Sequence, residues 1–321
     1  MDVRPALTWQ TLVTEWDVPV TVAVLLLPAA VLYLVGLLRT GNRPRGATVS
    51  FYLGLIVCAI ATGGSVNAYS TTLFTVHMAQ HLLLIMVVPA LLILGRPLEL
   101  LRAASGRLRP ALGRMARGRI VAVLTHPVFA FVYYAAVVAG THLTPFQQSA
   151  ATNPWPHGVE ELLYLTSGYL FLLPILAAEP AGRRLAPLLR LVVLLAGMVV
   201  DTLVGVTLLM TPRPPFAAYV VPGRGWGPDA LTDLHWGGAM MWVGGDLLMA
   251  VLAIIVITAW VSSSAGDGDL GSWLESARRS ALTGNAGALD ASVNLDEDEE
   301  ALHAYNAMLA RMANPRDRRR P

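Results

Sequence analysis

The sequence contains no lysine; all 23 of its basic residues are arginine. Charged residues of either sign make up only 14% of its 321 positions. Soluble domains run near a quarter charged, so the deficit argues against a water-soluble globular protein. Cysteine is scarcer still: Cys58 is alone, within an apolar run. One thiol excludes an intrachain disulfide and any CxxC metal or redox motif. The N-terminus carries Asp2, Glu15 and Asp17 against Arg4. Without a basic n-region, a cleaved signal peptide is not expected. No repeat of fixed period is evident, and nothing points to nucleic acid.

What is abundant is apolar. Hydrophobic residues make up 55% of the chain, and mean hydropathy is +0.56. A bilayer crossing takes about 20 apolar residues. Runs of that length predict an all-α, seven-helix membrane bundle, with spans at Val18–Leu38, Val49–Tyr69, Leu73–Leu94, Ile120–Gly140, Gly158–Ala178, Ala186–Met210 and Leu234–Trp260. Pro28, Pro89 and Pro174 fall inside spans, which membrane helices tolerate. Arginine sets the expected orientation. All but Arg4, Arg213 and Arg224 fall on one side, so the positive-inside rule puts the N-terminus outside and the C-terminus in the cytoplasm. The chain then has three regions: an extracytoplasmic segment over 1–17, the membrane domain over 18–260, and a flexible cytoplasmic tail over 261–321. A short helix is expected in the tail after DEDEE, at ALHAYNAMLARMA.

Polar residues within the apolar runs are the functional candidates. His77 and His81 open the third span, His142 closes the fourth, His157 opens the fifth beside Glu160 and Glu161, and His235 opens the seventh. All five belong at the outer face, and His126 at the inner one. Asp201 is expected roughly 13 Å below the outer end of its span, a depth similar to that of His81 at roughly 12 Å. Eleven residues separate His235 from Asp246, which puts them on one helix face with Trp242. An aspartate near a helix centre costs about 2.5–3.5 kcal/mol on insertion scales and normally faces a partner in the bundle. No arginine lies at the depth of Asp201 or Asp246 to serve: Arg190, the one inside a span, sits near its inner end.

The i, i+4 spacing of His77 and His81 brings Cβ atoms to about 5–6 Å, as in helices that chelate a metal through paired histidines. Met78, Met86, Met198, Met210, Met240 and Met241 lie nearby in sequence. Imidazole and thioether without thiolate favour copper over zinc. The expected metal ligands are His77, His81, His235 and Asp201, with His142 and Asp246 behind them. Plainer readings compete. A lone interfacial histidine is commonly an amphipathic cap, methionine an ordinary packing residue, and the Glu160–Glu161 pair a solvated helix start. The aspartates could simply bond neighbouring helices.

The stretch HMAQHLLLIMVVPALLILGRPLELL, together with LHWGGAMMWVGGD at the start of the last span, resembles the CtaG (caa3-type) family of bacterial cytochrome c oxidase assembly factors. The resemblance covers essentially Val18 to Trp260. It implies a multi-pass protein of the bacterial cell membrane that is not an enzyme. Such a protein would supply copper to the CuB centre of the haem–copper oxidase catalytic subunit, with an extracytoplasmic copper chaperone as a further partner and lipid around it. The first motif points to His77, Gln80 and His81, the second to His235, Trp236 and Asp246. Other classes stay open: a b-type haem electron carrier using His81 with His142 or His235, a copper or proton transporter using Asp201 and Asp246, and a scaffold that binds no metal.

Overall fold

A computed structural model describes residues 4–16, 19–41, 44–106, 110, 113–115, 118–176 and 185–267. Every regular element among them is helical. The chain divides into two units, Met1–Ile257 and Thr258–Pro321. Of the second, residues 258–267 are described and are helical; the expected tail helix and the arginines beyond it lie outside the described residues.

Six helical stretches are long and apolar enough to cross a membrane: Val22–Thr40, Arg45–Ser70, Phe74–Ala104, Pro154–Leu176, Pro187–Leu209 and Ala230–Ser262. A seventh is reached if Pro127–His142 and Phe146–Thr152, bent by 68°, count as one span. In chain order the helices are α1 (Trp9–Thr14), α2 (Val20–Thr40), α3 (Arg45–Gly63), α4 (Ser65–Ser70), α5 (Phe74–Leu82), α6 (Val88–Leu94), α7 (Pro97–Ala104), α8 (Arg119–Leu124), α9 (Pro127–His142), α10 (Phe146–Thr152), α11 (Pro154–Leu176), α12 (Pro187–Leu209), α13 (Ala230–Ala239) and α14 (Gly245–Asp267). π-helical turns at Leu83–Val87 and Met240–Gly244 join α5 to α6 and α13 to α14.

The fourth span departs from expectation. The run Ile120–Gly140 is cut at Thr125–His126, where α8 stops and α9 begins with Pro127. Proline forces the preceding residue out of the helical region, and His126 is extended at φ −70°, ψ 128°. Its side chain then caps the new helix by accepting from the Val128 N–H.

The surface is that of a lipid-facing bundle. Leu25, Leu27, Leu38, Leu203 and Leu247 are exposed, as membrane helices allow because hydrocarbon solvates leucine as well as protein does. The core gathers where α5, α6, α9, α11 and α12 meet, around Ile85, Tyr134, Phe171 and Leu172. Close approach relies on small residues. A Cβ on Gly168 of α11 would lie 1.8 Å from the Ile85 carbonyl oxygen, in the first π-turn. Pro89, four residues after Ile85, has no N–H to offer that carbonyl, which instead faces the bare glycine. On the other side Gly205 of α12 and Gly238 of α13 oppose each other, each with its would-be Cβ 2.8 Å from the other's carbonyl oxygen.

Candidate functional site

The site is built on the first turn of α5. Its N-cap residue, Leu73, has no side chain able to cap, and the acceptor comes from another span. Asp233 of α13, fully buried, accepts from the Phe74 N–H at 2.6 Å, the Thr75 N–H at 3.1 Å and the Thr75 hydroxyl at 2.7 Å. A carboxylate on the free amides of a helix start satisfies groups that have no intrahelical partner. It also ties together the residues that immediately precede the two sequence motifs, one turn before His77.

Where α5 carries His77 and His81, three imidazoles meet. His81 and His142 have ring centres 4.8 Å apart, and His77 and His142 6.0 Å. Tyr164 of α11 packs on His81 at 4.4 Å, and all three histidines are buried. His142 Nδ1 lies 2.9 Å from the Val138 carbonyl oxygen. Donating its proton there leaves Nε2 as a bare lone pair, the arrangement in which histidines bind metals. That Nε2 has no hydrogen-bond partner, and neither ring nitrogen of His81 has one. An unsatisfied buried polar atom costs about 1–3 kcal/mol, so three of them within one histidine cluster call for a ligand. Two imidazoles sharing a tetrahedral ion, with metal–nitrogen bonds of about 2.0–2.1 Å, hold their ring centres about 5 Å apart, which the observed spacings bracket. The ring orientations are a different matter. Among the described residues no group of three His, Cys, Asp or Glu side chains is placed to hold a metal ion, so an ion bound here would need the rings to rotate.

Glu160 and Glu161 are not a solvated helix start. Glu160 is buried beside the cluster, with Oε1 3.7 Å from His77 Nε2 and accepting from the Tyr164 hydroxyl at 2.9 Å. Helix α11 begins at Pro154, so Glu160 already lies in its second turn, facing the bundle. Its Oε2 lies 3.7 Å from His157 Nδ1. Gln80 donates to Glu161 Oε1 at 2.8 Å and to the Ala61 carbonyl at 2.9 Å. The same His77 Nε2 lies 3.1 Å from the Gln147 amide nitrogen of α10, which also donates to the Tyr219 hydroxyl at 3.0 Å. Tyr219 sits in the loop before α13. Burial, with Glu160 nearby, holds its hydroxyl well above the usual tyrosine range, so it stays a donor, to the Ser70 carbonyl at 3.2 Å.

The other candidates stand apart from this cluster. His235 lies 3.0 Å through Nε2 from the Thr211 carbonyl oxygen, just past the end of α12, and Trp236 is exposed. Asp246 accepts from Thr202 at 3.1 Å. Asp246 thus reaches α12 itself and His235 the segment just after it, with the π-turn Met240–Gly244 between the two residues. Their contacts are nine residues apart, about 13 Å along the axis, too far for one ion. Asp201 accepts from the Tyr134 hydroxyl at 2.7 Å. Tyr134 lies eight residues before His142 on α9, about 12 Å away, so Asp201 does not share the histidines' level. Its Oδ2, like Oδ1 of Asp246, has no hydrogen-bond partner. Met86 and Met241 belong to the hydrophobic core, Met78 lies against Gly237, and Met210 is exposed. None of these contacts is with the imidazoles.

A family profile described as cytochrome c oxidase caa3 assembly factor (Caa3_CtaG) matches residues 31–263. The chain belongs to this family. Its three buried histidines and Asp233 all lie within the matched region, so the site is built from family sequence. Among curated proteins it is 29% identical to the uncharacterized protein Mb0105 of Mycobacterium bovis, 29% to the uncharacterized protein MT0111 of Mycobacterium tuberculosis and 28% to the uncharacterized protein ML1998 of Mycobacterium leprae. Each alignment covers 288 residues, 87% of this chain but 41% of the relative. The chain thus spans about two-fifths of the length of these relatives. No solved structure matches it.

Proposed function

We propose that this protein is a cytochrome c oxidase assembly factor of the bacterial cell membrane that handles copper as cargo. With the N-terminus outside, as the arginine distribution favours, copper arrives from the extracytoplasmic side, delivered by a soluble chaperone. It is held on His77, His81 and His142 with Glu160 at the edge, and passes to the haem–copper oxidase catalytic subunit for its CuB centre. The observation carrying this reading is the set of orphaned nitrogens, both of His81 and Nε2 of His142, inside a buried cluster. Neutral imidazoles suit copper, zinc, iron or nickel; the oxidase client named by the family selects copper among them. Ligands that must rotate to close give an exchangeable site, suited to transfer rather than storage.

The test is copper per protein in the purified full-length chain. His77→Ala combined with His81→Ala is expected to abolish bound copper and lower oxidase activity in cells, with the protein still inserted. Unchanged copper stoichiometry in that double variant refutes the site.

Aromatic and imidazole rings packed at centroid spacings of 4.4–6.0 Å offer no slot for a haem plane, so the b-type haem reading draws no support here. The orphaned oxygens of Asp201 and Asp246 favour a second reading, a midplane relay for protons or copper. It predicts uptake by proteoliposomes containing this protein alone.

A further inference from the structure

An outward cleft of about 490 Å³ opens between the N-terminal segment and the start of α11, with Asn67, Asn153 and His157 in its wall. His157 is the element common to cleft and cluster. Its Nε2 lies 2.9 Å from Asn67 Oδ1 and 3.6 Å from Glu161 Oε1. Its Nδ1 faces Glu160 Oε2 at 3.7 Å, while the other oxygen of Glu160 faces His77 Nε2, again at 3.7 Å. Each of these nitrogen–oxygen gaps near 3.7 Å is too wide for a good hydrogen bond, about 2.7–3.2 Å. Each is close to the span of two donors flanking one ion at about 2.0–2.2 Å from each. Glu160 is buried, its Oε2 has no hydrogen-bond partner, and it presents one oxygen to each side.

We propose that this cleft is the port by which the metal cation reaches the histidine cluster, with His157 as the receiving ligand and Glu160 as the relay. Passage is ligand exchange at constant oxidation state. The bonds to His157 Nδ1 and Glu160 Oε2 break as bonds to Glu160 Oε1 and His77 Nε2 form, the Gln147 amide giving up its hydrogen bond to His77 Nε2, and no electron is transferred. A second cleft, of about 430 Å³, reaches His142 directly. Thr144, Gln148, Thr207 and Thr211 line it among apolar residues such as Leu143, and besides His142 it holds no imidazole or carboxylate to hand a cation on.

This inference rests on the copper reading above and is tested separately by rate. Full-length protein in nanodiscs is loaded from a chromogenic copper chelator, and both the loading rate and the final stoichiometry are read. His157→Gln should load at least tenfold more slowly and reach the wild-type stoichiometry. Asn153→Cys capped with a bulky maleimide should do the same without disturbing the fold, because Asn153 is exposed and the native Cys58 is buried. Wild-type loading rates in both variants overturn the port while leaving the histidine site standing. So does slowing by a capped Leu143→Cys, in the second cleft, but not by capped Asn153→Cys. A lowered final stoichiometry in His157→Gln also overturns it, since His157 would then be a ligand of the stored ion. A wild-type protein that takes up no copper removes both proposals.

Discussion

Replacing Asp233 tests whether one span organises the site on another. In Asp233→Ala the Phe74 and Thr75 N–H groups lose the acceptor they hold at 2.6 and 3.1 Å. The Thr75 hydroxyl keeps an alternative in the Asp233 backbone oxygen at 3.0 Å, so it adds little. Two buried amides left unpaired cost about 1–3 kcal/mol each. Relief from burying a carboxylate offsets part of that, leaving about 3 kcal/mol. For a unit of this size, 1 kcal/mol moves Tm by about 2–4 °C, so a drop of about 6–12 °C is expected. Asp233→Asn keeps one acceptor oxygen and should lose about half as much. Thermal unfolding in detergent, followed by the fluorescence of a fused reporter, reads the stability. Copper stoichiometry measured below the transition reads the placement of His77 and His81, and is expected to fall in the alanine variant. An alanine variant that melts with wild type and binds full copper would refute the claim that Asp233 sets the helix start.

Gly168→Ala puts a methyl 1.8 Å from a backbone oxygen that cannot rotate away. Overpacking of that kind costs about 1–3 kcal/mol or more, read as lost folded yield on size-exclusion chromatography, whereas Gly140→Ala, with nothing within 4 Å of the new atom, should express normally. Tyr134→Phe removes the 2.7 Å bond to Asp201 and should cost about 1–3 kcal/mol in thermal stability. Copper stoichiometry should stay unchanged in that variant, since Tyr134 lies about 12 Å from His142 along α9.

Much of the fold was legible because a bilayer imposes one strong rule, a long apolar run per span. The fourth span escaped it: hydropathy averages over Thr125–His126, and the break is a matter of proline sterics and capping, not of polarity. The pair His77 and His81 was legible from helical spacing, and His142 from its depth. Glu160 was not, because two adjacent glutamates near a helix start read as solvated when the start itself is misplaced. Beginning α11 at Pro154 rather than Gly158 adds a turn and carries Glu160 inward. Asp233, Gln147, Tyr164 and Tyr219 act across spans or from a loop, and one-dimensional periodicity carries no signal for such contacts. The level of Asp201 was hidden too, because depth is counted from an apolar boundary in the sequence, whereas in the fold Tyr134 sets it.

The π-turn after His81 makes the third span two rods on one axis with different registers. Each residue added to an α-helix turns the remainder of the rod by about 100°, and Leu83–Val87 accommodates a residue that a regular helix would not. Deleting one residue there would restore a regular helix and leave His77 and His81 on the same face relative to Val88–Leu94, because the wide turn already absorbs the surplus residue. The same deletion between His77 and His81 finds no such reserve and would turn one imidazole away from the other by about 100°. The turn therefore tolerates the loss of a residue where the histidine pair does not, at the cost of moving the Ile85 carbonyl that faces Gly168.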